Sequence, residues 1–161
     1  MPDLSEVLDA LRSRTPVLVY DEDHREEETD IIIPAENIEP KHVSMLREYA
    51  GGLICVAIHP SIAKILGLPF MTDILEAASS KYVTLSKILV NHAPYGDRPS
   101  FSLTVNHKDT YTGITDNDRA LTIRELAKLA REALNTETPK NLVRRKFEEN
   151  FRSPGHVHLL I

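Results

Sequence analysis

The sequence predicts an α+β domain, a mixed twisted β-sheet with helices on its faces, and three observations carry that prediction. Short β-branched runs bounded by turn residues are interspersed with amphipathic stretches. One long amphipathic stretch, Thr122 to Leu134, carries its own start signal. The 161 residues, 42% apolar and 27% charged, are enough for one core, so a single domain over 1–161 is expected.

The elements follow in order. Leu4, Val7, Leu8 and Leu11 recur at helical spacing behind Asp3 or Ser5 as caps, giving a short helix on the sheet that ends at Thr15-Pro16. Val17-Leu18-Val19-Tyr20 and Ile31-Ile32-Ile33 read as buried strands flanking an acidic segment. Pro40 opens a helix that turns Val43, Leu46 and Met45 inward, and Gly51-Gly52 closes it ahead of the strand Leu53 to Ile58. Ile62, Ile65 and Leu66 mark a helix stopped by Gly67, and residues 71–100 read mostly as loop. Phe101 to Val105 alternates as a half-buried strand. Thr122 and Glu125 form a capping box for a helix whose inner face is Ile123, Leu126, Ala127, Ala130 and Leu134. Residues 135–139 are a linker, the charged run to Asn150 is a solvated helix or loop, and Ser153-Pro154-Gly155-His156 is a tight turn into a last strand. That strand, His156 to Ile161, ends without a polar tail, the pattern expected of the front part of a longer polypeptide.

Nineteen Lys and Arg against 24 Asp and Glu give a net charge of −5, which argues against duplex nucleic acid or anionic lipid as partner. No apolar stretch approaches the roughly 20 residues of a membrane helix, and the N-terminal residues carry acids instead of a signal-peptide core. One cysteine, Cys55, excludes an intrachain disulfide and a thiolate-built zinc site, so a reducing, cytoplasmic setting is expected.

Chemistry concentrates in three places. Residues 21–30 pack seven carboxylates into ten positions: Asp21, Glu22, Asp23, Glu26, Glu27, Glu28 and Asp30. Such crowding raises carboxyl pKa values or recruits a hard cation such as Mg²⁺ or Mn²⁺; an extended segment would put Glu26, Glu28 and Asp30 on one face. A solvated acidic loop is the plainer reading. The loop Thr112-Gly113-Ile114-Thr115, ahead of a helix, offers hydroxyls and backbone N–H groups to a phosphate; alternatively Asp118 and Thr122 merely satisfy backbone donors there and Arg119 pairs with an acid. His156 after the Pro-Gly turn is an acid–base or ligand candidate, and Cys55 is most simply a small core residue.

Together these segments resemble the 3,4-dihydroxy-2-butanone 4-phosphate synthase family, from about Leu4 onward. Arg25-Glu26-x-Glu28-x-Asp30 resembles its acidic loop, and Gly51-Gly52-Leu53-Ile54-Cys55 its cysteine strand. Thr112-Gly113-Ile114-Thr115-x-x-Asp118-Arg119-Ala120-x-Thr122-Ile123 resembles its central signature, and Phe151-Arg152-Ser153-Pro154-Gly155-His156 its Pro-Gly-His turn. Thr29, where bacterial members usually have Gly, and Thr115-Asp116 are similar to the archaeal branch.

The resemblance implies a three-layer fold and conversion of D-ribulose 5-phosphate to L-3,4-dihydroxybutan-2-one 4-phosphate and formate, with Mg²⁺ or Mn²⁺, in a homodimer. It implies Glu26 as metal ligand and, with Arg25, Asp30 and Thr112, as substrate-binding residue. Asp21, Asp23, Glu28, Cys55 and His156 become the catalytic set. Family members continue past the Pro-Gly-His turn into a Gly-His-Thr-Glu segment with a second metal ligand; this chain has no counterpart, which implies weak metal binding and little turnover by these 161 residues alone. The rival reading is a non-catalytic sugar-phosphate or nucleotide-binding module that keeps the anion loop and leaves the acidic loop vestigial.

Overall fold

The computed structural model describes residues 3–161; Met1 and Pro2 of the expected domain lie outside the described residues. Helix α1 (Leu4–Arg12) starts at Asp3, whose N–H donates to Glu6 Oε2 (3.2 Å), and it precedes strands β1 (Val17–Tyr20) and β2 (Thr29–Ile32). A 3₁₀ turn (Ala35–Asn37) leads to α2 (Pro40–Met45), a π-helical turn to Ala50, β3 (Cys55–Ala57), α3 (Pro60–Leu66), α4 (Met71–Ser79) and α5 (Val83–Ile88). Then come β4 (Phe101–His107), α6 (Asp116–Leu134), α7 (Lys140–Asn150) and β5 (Phe151–Leu160).

The strands form two sheets. β1 and β2 make an antiparallel hairpin, while β3, β5 and β4 form a mixed sheet with β5 central, parallel to β3 and antiparallel to β4. The α+β class therefore holds, as a three-stranded sheet plus a separate arm. Side chains alternate across a strand, so β5 sends Val157 and Leu159 into the core with Val56, Val105 and Leu126, and turns His156 and His158 to the other face.

Several expectations are corrected. β1 and β2 form but are not buried: Leu18 is 70% exposed, because the hairpin pairs only with itself and α1 lays no buried residue on it. Residues 71–100 are not mostly loop, since α4 and α5 occupy the first half; the Pro and Gly residues that suggested loop all lie after Val90. Helix α6 begins six residues before Thr122, at Asp116, capped by the Thr115 hydroxyl, which accepts from the Asp118 N–H (3.1 Å). Thr122 is instead fully buried within the helix, accepting from the His107 N–H (3.0 Å) and donating to the Asp118 carbonyl (3.0 Å), which bolts β4 to α6. The inner face of α6 is Ala120, Thr122, Ile123, Leu126, Leu129 and Ala133, which leaves Leu134 67% exposed.

Residues 153–156 are not a turn ahead of the strand but a bulge inside it. Val105 partners Val157 and Asn106 partners Arg152, so Ser153, Pro154, Gly155 and His156 project with no partner residue on β4. Helix α7 is polar outside but buries Val143 and Phe147, the latter stacked on Phe151 with ring centroids 5.1 Å apart. None of the described helices is long and apolar enough to cross a membrane.

Candidate active site

The acidic segment is the turn of the β1–β2 hairpin, and Arg25 organises it. Its Nη1–H donates to Asp21 Oδ2 (2.9 Å) and lies 3.5 Å from Glu26 Oε2. Its Nε–H donates to Asp97 Oδ2 (3.0 Å), and its guanidinium stands 4.9 Å over the Tyr95 ring. Asp21 also accepts from the Glu26 N–H (3.0 Å), and Tyr95 donates its hydroxyl to Glu26 Oε1. The hydrogen bond from Arg25 outweighs partial desolvation and holds the Asp21 carboxyl below the usual carboxylate range. The Tyr95 hydroxyl, bound to a carboxylate, is pushed up.

Crowding is thus relieved by one arginine and by phenolic donors; Tyr20 likewise donates to Asp23 Oδ1 (2.9 Å). The expected shared face of Glu26, Glu28 and Asp30 does not form, because residues 23–26 are a turn and Glu27 takes φ +54°, breaking the alternation. Glu28 and Asp30 lie on the extended arm, with no side-chain hydrogen bond or ion pair among the described residues.

The Cys55 thiol is pushed up first by burial and then by the Asp30 carboxylate, so Cys55 stays a neutral thiol. Cys55, His158 and Thr104 are Cα partners in one row across β3, β5 and β4. Thr104 and His158 of that row, but not Cys55, line a half-open cavity of about 410 Å³ walled by Leu53, Met71, Leu75 and Leu85, whose carbon-rich wall offers a sugar phosphate few donors.

The anion loop is filled from within. Asp118 Oδ2 accepts from the N–H groups of Thr112 (3.2 Å) and Gly113 (2.9 Å) and from the Thr112 hydroxyl (3.4 Å), while Oδ1 accepts from the Tyr111 N–H (3.3 Å). Burial raises its pKa, but these donors outweigh that and hold it low. The bonds of the plainer alternative are present in this loop: Asp118 satisfies its backbone donors and also accepts from the Thr112 hydroxyl. Arg119 pairs with Asp116 (3.4 Å), which also takes a two-pronged contact from Arg47 (2.9 and 2.8 Å).

Asn106 joins this loop to His156. Its Oδ1 accepts from the His156 N–H (2.8 Å) and its Nδ2 lies 3.2 Å from His156 Nδ1. A Cβ on Gly113 (φ +83°) would run into the same amide, so the loop can approach only as glycine. No hydrogen bond or ion pair among the described residues links Arg25 or Glu26 to Thr112 or His156. Sequence reasoning missed Asn106, Tyr95 and Asp97. All three act through contacts about 50 to 70 residues away in sequence, and only the Tyr95-Gly96-Asp97 turn chemistry hinted at a structured loop.

Asp118→Ala is expected to lower stability by about 1 to 2 kcal/mol at pH 7, since it removes charge-assisted hydrogen bonds that are largely exposed, with the Gly113 N–H part-buried. Its carboxyl is depressed in the fold, so the stabilisation is present above the unfolded value near ~4 and is lost as pH falls through the lower folded value. Urea unfolding at pH 7 and at about pH 2.5 checks this: the gap between wild type and Asp118→Ala shrinks at the lower pH, and a constant gap contradicts it.

The model of 3,4-dihydroxy-2-butanone 4-phosphate synthase matches residues 5–161. The chain belongs to this family. A 3,4-dihydroxy-2-butanone 4-phosphate synthase of Methanothermobacter thermautotrophicus is 49% identical over 157 residues, covering 98% of this chain and 65% of that protein. The one from Archaeoglobus fulgidus is 50% identical over 159 residues, covering 98% of this chain and 64% of its own length. The chain therefore spans a little under two thirds of the length of these synthases. A solved structure of a 3,4-dihydroxy-2-butanone 4-phosphate synthase in complex with two magnesium ions superposes with a TM-score of 0.65 at 26% identity, covering 99% of this chain and 60% of the other. Within the synthase family frame, a hard cation can be tested against this chain. No group of three or more His, Cys, Asp or Glu side chains among the described residues is arranged to hold a metal. The exposed Glu26 carboxylate suits a Mg²⁺ ion that keeps most of its water and takes one or two carboxylates, not a closed protein cage.

Proposed function

We propose that the chain carries the acidic side of a metal-dependent lyase site that converts D-ribulose 5-phosphate to L-3,4-dihydroxybutan-2-one 4-phosphate and formate in riboflavin biosynthesis. The observation that carries this reading is the family match over residues 5–161, a span that includes the Arg25-Glu26-x-Glu28-x-Asp30 segment and Cys55. A Mg²⁺ or Mn²⁺ ion, with Glu26 as its protein ligand, supplies Lewis-acid polarisation of a ketone when bound.

The chain's own residues divide the remaining work. Arg25 and Asp30 hold the sugar part of the substrate, Arg25 as a fixed donor and Asp30 as an acceptor. Glu28, unpaired among the described residues, is the best placed of the carboxylates to carry a proton to and from carbon. Asp21 is held ionised by Arg25 and Asp23 is tied to Tyr20, so both serve the shape of the loop more than proton transfer. Cys55, a neutral thiol, lines the site. His156 is steadied by Asn106, and Thr112 contributes to phosphate binding only once Asp118 yields a donor. The same reading makes the protein a cytoplasmic homodimer without nucleic-acid or membrane partners. The exposed Leu18, Tyr20 and Ile32 of the hairpin offer a surface for self-association.

The test is the melting temperature with D-ribulose 5-phosphate, beside formate release, each with Mg²⁺ and with chelator. A metal-dependent rise of a few degrees, about 1 kcal/mol of linkage, together with slow but chelator-sensitive formate release, is the expected result. A shift that ignores chelator, without formate, favours the non-catalytic module, and no shift with no formate removes both readings.

A further inference from the structure

Arg25 and Glu26 are held by a second loop that no motif marks. Residues 92–98 form a self-braced turn: the Ala93 N–H donates to the Asp97 carbonyl (2.7 Å), the Gly96 N–H to the Ala93 carbonyl (2.9 Å), and Gly96 adopts φ +98°. Arg98 anchors its far end, donating to Thr72 Oγ1 (2.7 and 3.0 Å) and Asp73 and lying 3.9 Å over the Phe70 ring. The turn is therefore braced by contacts of its own besides those it makes to the acidic loop.

What it presents to that loop is specific. The Tyr95 hydroxyl donates to Glu26 Oε1, the Tyr95 ring lies under the Arg25 guanidinium, and the Asp97 carboxylate takes the Arg25 Nε–H at 3.0 Å. These contacts keep the Arg25 side chain only 35% exposed at the tip of a hairpin that buries little else. Without them Arg25 would have only the carboxylates of its own loop, in a segment where Glu27 and His24 already take positive φ.

We infer that Tyr95 and Asp97 are positioning residues of the proposed site, fixing Glu26 and Arg25 in the places from which they meet a metal ion and a sugar phosphate. The inference rests on the proposed function. Tyr95 sets the direction of Glu26 Oε1, while Arg25 Nη1 stands 3.5 Å from Oε2, so both oxygens of the carboxylate are oriented. Asp97 balances Asp21 across the guanidinium, so that Arg25 offers its remaining N–H groups outward instead of folding onto the nearest acid.

The experiment compares wild type with Tyr95→Phe, Asp97→Asn, the double variant and Asp97→Glu. Tyr95→Phe keeps the ring over Arg25 and removes only the hydroxyl, so it is expected to fold normally. Amide hydrogen exchange at Asp21 and Glu26 is expected to rise about tenfold in the double variant while exchange in α6 stays unchanged. By calorimetry with Mg²⁺, the Kd for D-ribulose 5-phosphate is expected to rise about tenfold in Asp97→Asn. The Kd for inorganic phosphate stays within about twofold, and Asp97→Glu recovers most of the loss. Unchanged exchange overturns the inference, as does faster exchange with unaltered sugar-phosphate affinity, which would make the contact purely structural. A wild type that binds no D-ribulose 5-phosphate at all overturns the proposed function together with this inference, an outcome distinct from variants that match a binding wild type.

Discussion

Gly155→Ala is expected to cost about 3 kcal/mol or more, enough to move a thermal midpoint down by roughly 6 to 12 °C for a chain of this size. The reason is space, since Gly155 does not adopt a left-handed conformation. A Cβ there would fall onto the backbone of β4, meeting the Val105 carbonyl group and the Asn106 nitrogen, and backbone cannot swing aside as a flexible side chain can. The Gly155 N–H also donates to Thr104 Oγ1 (3.1 Å), so the bulge and β4 are pressed together on two sides. Relief by separating the strands would weaken β5 against β4 and carry His156 away from Asn106. Urea unfolding of the variant measures the cost; a loss under about 1 kcal/mol would mean that the bulge relaxes freely.

Glu26→Ala should separate the site from the scaffold. Metal-dependent formate release from D-ribulose 5-phosphate is expected to fall at least about a hundredfold, since the side chain proposed as metal ligand is gone. Melting is expected to change little, because Glu26 is 40% exposed and its partners Tyr95 and Arg25 keep other contacts. Inorganic phosphate binding should persist within about twofold, as phosphate recognition is assigned to other side chains. Formate release near the wild-type rate would remove Glu26 from the metal-binding role, and parallel loss of stability would make its effect structural.

The sequence made the core legible where pattern and burial coincide. Val43, Ile62, Leu66, Leu126 and Leu159 were placed inside by periodicity, and Gly51 and Gly67 end their helices with positive φ as glycines beyond a C-terminus should. It misled where local pattern and tertiary placement diverge. Val17 to Tyr20 has the composition of a buried strand, yet whether such a strand joins the main sheet depends on pairings that composition does not encode. Thr122 and Glu125 spell a capping box, but Thr115 and Asp118 offered a start one loop earlier, and the buried His107 N–H needed the Thr122 hydroxyl.

The site was half legible for the same reason. Glu26 and Asp30 declared themselves by charge density beside strands, and Arg25 only through the family resemblance. Asp118 as the internal occupant of the anion loop, Asn106 as the brace of His156, and Tyr95 with Asp97 did not, because each acts through a contact that only the folded chain creates. The resemblance named the family correctly; the family pattern did not show that residues 153–156 bulge within a strand.

The central place of β5 also bears on how the protein is made. Cys55 pairs with His158 and Phe101 with Leu160, so the strand joining β3 to β4 is the one synthesised latest among the three. On the ribosome, β3 and β4 emerge without the neighbour that links them, and both carry unpaired edges until residue 160 clears the exit tunnel. Such long-range pairing slows folding and exposes β-edges to other nascent chains. The helices α3, α6 and α7 pack on one another, and α6 packs on β4, through contacts that do not involve β5.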